Sequence, residues 1–180
     1  MTLSVVYALD TGHVVGAVAV TGDAEPGTVG VLVGPALPLR VVLEDGETAV
    51  LSLRDRQLAA HAADEEPGVF ADPLVFGVEQ VENTNSGVTA KPALLRLPPL
   101  STPPEFNAIG LHVTVPQAVG TQATKVLALV SLGAETRALT GAIEPGETSV
   151  TLPVAVDDGP HGVLVLVAGW AGRLESVNKQ

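Results

Sequence analysis

Glu44-Asp45-Gly46-Glu47-Thr48 runs into Ala49-Val50-Leu51-Ser52-Leu53, and Glu144-Pro145-Gly146-Glu147-Thr148 runs into Ser149-Val150-Thr151-Leu152-Pro153-Val154. In both stretches a glycine supplies the backbone freedom for a turn. The β-branched residues that follow favour a pleated, extended chain. One device used twice, a turn feeding a strand, points to an all-β protein.

Working outward, the same alternation recurs along the chain. Strands are expected at 4–9 and 13–20, joined as a hairpin through Asp10-Thr11-Gly12, then at 29–33, 39–43 and 49–53. From Asp55 to Asp64 the residues are helix formers without a β-branched side chain, so a short surface helix or a mobile loop is expected. Strands resume at 74–81 and 88–97, around a turn at 83–87. Pro92 places the second of them at a sheet edge or a bulge. Pro98-Pro99-Leu100-Ser101-Thr102-Pro103-Pro104 is stiff enough to separate two halves or to lie across a neighbouring subunit.

Beyond it, Leu111, Val113 and Val115 alternate with His112 and Thr114, so the first three are expected on one face. Strands follow at 125–132, 136–139 and 149–156. The apolar run at 163–170 needs cover on both faces and is placed centrally. The expected division is an N-terminal β-rich lobe over 1–97, a Pro-rich linker at 98–104, a C-terminal β-rich lobe over 105–172 and a polar, fraying tail at 173–180. Thr21–Gly27 echoes Thr140–Gly146 at an offset of 119 residues, whereas the opening pair of turns is offset by 100. A tandem duplication gives one register, so two related small lobes compete with simple reuse of turn chemistry. The architecture expected is a β-sandwich or compact β-barrel. In a generic way the spacing resembles that of β-sandwich accessory domains, whose strands follow Pro-Gly or Asp-Gly turns; that resemblance implies no activity.

Charge and composition narrow the function. Nine Lys and Arg against 20 Asp and Glu give a net charge of -11, which opposes binding to nucleic acid or an anionic membrane. No cysteine is present, which excludes disulfides, thiolate metal sites and a cysteine nucleophile. The opening residues lack a signal-peptide pattern and no apolar run is long enough for a membrane helix, so the cytoplasm, or release within a larger particle, is the expected location. Charged residues make up 16% of the chain, against roughly 25% in ordinary globular proteins, and this favours extra surface buried between subunits.

Candidate chemistry is thin. Asp157, Asp158 and His161 lie close together, as do Asp10 and His13, but two or three polar residues around a glycine turn are what a solvated loop contains. Glu79 and Glu82, three apart on a strand, face opposite sides and do not flank one glycosidic bond. Glu44 and Glu47 border a turn. No nucleophile elbow, P-loop or dinucleotide fingerprint is found. Trp170, closing an apolar strand, is expected to cap the core; exposed, it would stack on a sugar or anchor a partner.

No catalytic, cofactor or metal residue is therefore assigned. The expected function is a non-catalytic structural or adaptor subunit of a larger assembly, such as a coat, cap, collar or baseplate-like component. Its partners would be protein subunits, in a homo-oligomer or a multi-protein complex. A carbohydrate- or peptide-binding β module is the alternative, and a hydrolase of unrecognised type ranks third. The preferred contact is the 88–97 strand edge.

Overall fold

The computed structural model describes residues 2–21, 27–79 and 93–180. The turn expected at 83–87, Glu82, residues 88–92 of the expected edge strand and most of the turn at 22–27 lie outside them. The described residues form an all-β protein of several sheets, and every strand pairing is antiparallel. In chain order the strands are β1 (Thr2–Ala8), β2 (Val14–Val20), β3 (Ala36–Val42), β4 (Thr48–Arg54), β5 (Leu58–Ala63), β6 (Phe76–Glu79) and β7 (Ala93–Arg96). There follow β8 (Glu105–Phe106), β9 (Gly110–Thr114), β10 (Thr124–Leu132), β11 (Glu135–Ile143), β12 (Ser149–Pro153), β13 (Gly159–Val167) and β14 (Arg173–Lys179). Two short helices interrupt them, α1 (Val29–Val33) and α2 (Gly68–Ala71).

The sheet β11-β10-β13-β14 is the centre of the molecule. Both of its middle strands carry an unbroken apolar run, 126–130 in β10 and 163–167 in β13, and strand alternation sends these side chains into two different cores. Val126, Ala128 and Val130 of β10 and Val163, Val165 and Val167 of β13 pack on one side against Leu111, Val113 and Leu152 of the sheet β12-β9-β8 and against Val115, just beyond β9. Leu127, Leu129, Leu164 and Leu166 face the other way. They meet Leu51 and Leu53 of β4, and Val6, Ala8 and Val15 of the sheet β2-β1-β5. A third cluster lies on the far face of β1, where Leu3, Val5 and Tyr7 pack against Val69, Phe76 and Val78. One continuous stack of layers results, and the second cluster joins residues before 98 to residues after 104.

Several expectations hold. Leu111, Val113 and Val115 are buried while His112 and Thr114 are half-buried, as the alternation requires. Residues 163–167 are fully buried in a strand flanked on both sides. The Asp10-Thr11-Gly12 hairpin forms, and Gly12 takes a positive φ of 76°.

Others are corrected. The strand expected at 29–33 is α1. Its Val29, Leu32 and Val33 share one helical face against the second cluster, so packing at helical spacing overrides β-branched preference. The helix or loop expected at 55–64 is a 3-10 turn at Asp55–Gln57 followed by β5, which pairs with β1 along its length. Alanine-rich residues become a strand because β1, apolar on both faces, leaves one backbone edge to be satisfied. Residues 36–38 belong to β3 rather than to a loop. Pro38 sits opposite Ser52, whose N–H turns away to Thr136 Oγ1 at 3.1 Å. That pair is therefore not hydrogen-bonded, and the N–H that proline lacks falls on the outer edge. The fraying tail at 173–180 is also corrected: β14 pairs with β13 from Arg173 to Lys179.

The two opening turns share a sequence pattern but not a topology. Asp45-Gly46 closes the hairpin β3–β4, with Leu43 N–H to Glu47 O at 2.7 Å. Pro145-Gly146 instead carries the chain from β11 in the four-stranded sheet to β12 in the three-stranded one.

Candidate functional site

At the end of β13 the chain turns through residues 168–172 into β14. Gly169 makes the reversal with φ at 86°, and Trp170 N–H closes it on Val167 O at 3.0 Å. Hydrogen bonds to distant parts of the chain hold this turn, beginning with Ala168 N–H to Lys125 O at 3.0 Å. Ala171 N–H donates to Pro98 O at 2.7 Å, Gly172 N–H to Leu74 O at 2.8 Å, and His13 Nε2–H to Trp170 O at 2.6 Å. A carbonyl only accepts, so His13 carries its proton on Nε2 and Nδ1 accepts from the Thr11 hydroxyl at 2.9 Å. His13 is fully buried. Burial holds its pKa below the ordinary imidazole value, partly opposed by the bond to Trp170, and the ring is neutral.

Facing this turn is the loop 116–120, braced by the second of the opening glycine turns. Val119 N–H donates to Glu147 O at 3.0 Å, Gly146 N–H to Val119 O at 3.1 Å, and Val115 N–H to Thr148 O at 2.8 Å. Gly146 adopts φ of 84°, a left-handed conformation that suits glycine. Between the two braced segments lies a cleft of about 270 Å³ lined by Pro98, Gln117, Val119, Thr124, Gly169 and Trp170. None of the lining residues is ionisable. Trp170 is half-buried. It packs against the first core cluster and also lines the cleft, so the expected core cap and the exposed platform meet in one side chain.

The candidates flagged by sequence fare differently. His161 places Nδ1 2.9 Å from Ser131 O and Nε2 2.8 Å from Asp157 O, with Phe106 edge-on at 5.6 Å. It contacts the backbone of Asp157, not its carboxylate, and works as a strut between the end of β10 and the β12–β13 connection. Asp158 and Asp10 are exposed, and both nitrogens of His13 are already engaged. Among the described residues, no group of three His, Asp or Glu side chains is placed to hold a metal ion. Glu79 ends β6, exposed. Glu44 N–H donates to Ser176 Oγ at 3.2 Å, and Glu47 N–H donates to the Asp45 carboxylate at 3.0 Å, a local turn contact.

Sequence reasoning missed Gln117, which reaches the cleft from an irregular loop, and Thr124, which reaches it from the first position of β10, and nothing in their own spacing marks them. Among the described residues no helix is long and apolar enough to cross a membrane. No family model, no curated protein and no solved structure matches this chain.

Proposed function

We propose that the protein is a non-catalytic structural or adaptor subunit that joins a larger protein assembly through an open sheet edge. The supporting observation is β7. It pairs with β6 on one side and has no partner strand on the other among the described residues, and its Leu95 is 45% exposed. An unpaired strand edge with an exposed leucine is a template for another strand. Layered packing on both faces of the central sheet supports a β-sandwich arrangement as the rigid body presenting this edge. A second reading, a ligand-binding β module, is favoured by the Trp170 cleft.

The test is Leu95→Lys. Leu94 is unsuitable because it packs against the third core cluster. Sedimentation of the wild type is expected to give an oligomer or a complex with a co-purifying protein, and the folded Leu95→Lys variant is expected to sediment as a smaller species. A variant with wild-type circular dichroism and unchanged sedimentation refutes β7 as the contact.

A further inference from the structure

We propose that the cleft beside Trp170 binds one ring of a neutral oligosaccharide. This rests on the second reading, a ligand-binding module, and is independent of assembly through β7. Four features carry it. The first is charge: the chain has a net charge of -11, yet no ionisable side chain lines this cleft, so the site suits an uncharged ligand. The second is chemistry. Trp170 offers an aromatic surface to the C–H face of a sugar, while the Gln117 amide and the Thr124 hydroxyl supply donors and acceptors that hydroxyl groups can use.

The third feature is size. At about 270 Å³ the cleft falls just below the roughly 300–1,000 Å³ of drug-sized sites, which fits a single ring with the rest of the chain in solvent. The fourth is rigidity. Both walls are tied by backbone hydrogen bonds to distant strands and turns, so binding orders little of the protein. A proline-rich peptide, which also docks on aromatic side chains, needs a groove with several of them, and Trp170 is the one aromatic residue lining this cleft.

Trp170 is the single tryptophan of the chain, so indole emission reports this site alone. The full-length protein is titrated with maltotetraose, cellotetraose and mannotetraose, with tetragalacturonate as the charged control and a Pro-rich decapeptide as the rival ligand. At least one neutral tetrasaccharide is expected to shift the emission saturably, and the uronate is not. Gln117→Ala and Thr124→Val, which keep the fluorophore, are each expected to weaken that binding roughly three- to tenfold, the value of one hydrogen bond. Their thermal melts establish that both variants fold.

Absence of any sugar response at about 10 mM, where even a millimolar site is saturated, overturns the proposal. So does a response that both variants leave unchanged, or one that the uronate matches. If the peptide shifts the emission and the sugars do not, the sugar proposal falls and the binding-module reading stands. If neither does, both fall.

Discussion

His13→Leu is the most informative single change in the fold. His13 is fully buried, and its Nε2–H is the side-chain link from the β1–β2 hairpin to the Trp170 carbonyl 157 residues away. Leucine fills a similar volume, so the main loss is the hydrogen bond and the stranded carbonyl, about 1–3 kcal/mol at pH 7.5. The pH dependence adds a second signature. Burial depresses the folded-state pKa of His13 below the ordinary imidazole value of about 6.5. Below pH 6.5 the unfolded chain takes up a proton that the folded chain resists, so the unfolded state binds more protons and stability falls with pH. The contribution is fully present above 6.5 and is lost as pH drops toward the folded pKa, with a limiting slope of about 1.4 kcal/mol per pH unit.

Leucine does not titrate. The stability gap between wild type and His13→Leu should therefore narrow as pH falls from 7.5 to 5. Urea unfolding followed by Trp170 emission at both pH values reads the gap directly, and the other titrating groups cancel in the difference. Equal stability at pH 7.5, or a gap independent of pH, refutes the neutral buried strut.

Gly162 of β13 lies under the β3–β4 hairpin, where an added Cβ would sit 2.5 Å from Val41 Cγ1 and 3.0 Å from Ala49 Cβ. Gly162→Ala is expected to cost about 1–3 kcal/mol in urea melts through overpacking; an unchanged midpoint would mean that the hairpin is not seated on the sheet. Ser4 Oγ is buried in β1 and has no hydrogen-bond partner among the described residues. Ser4→Ala should accordingly leave thermal stability unchanged or raise it, by about 1 kcal/mol at most, and a large loss would reveal a partner for the hydroxyl. Arg173 grips Glu175 with two bonds of 2.7 and 2.9 Å and donates to Leu100 O at 2.8 Å. With both side chains about a quarter exposed, Arg173→Lys should cost about 1 kcal/mol or less yet speed proteolysis within 98–104; an unaltered cleavage rate would show that other contacts hold the segment.

Where side-chain period decides structure, the sequence is readable. Alternation at 111–115 and the unbroken apolar run at 163–167 identify β9 and the central β13 because burial repeats every second residue. Reading fails where the deciding partner is distant. Nothing local in Leu58-Ala59-Ala60-His61-Ala62-Ala63 says strand; the open edge of β1 does. Val29–Val33 has β-branched composition, but only the cluster beneath it selects the helix. The polar sequence of β14 hides a strand whose half-buried residues follow β13. The site divides likewise. Trp170 is visible as a bulky residue ending an apolar run. Gln117, Thr124 and Pro98 come together only once the second glycine turn and the His13 link are in place.

The most direct measurement of the central claim is native mass spectrometry of the protein isolated from its own cells, across a range of concentrations and with co-purifying proteins retained. A subunit of an assembly gives a defined mass above the 18.3 kDa of one chain, as a multiple of it or with a stoichiometric partner. A mass of 18.3 kDa at every concentration, with nothing bound, contradicts the account.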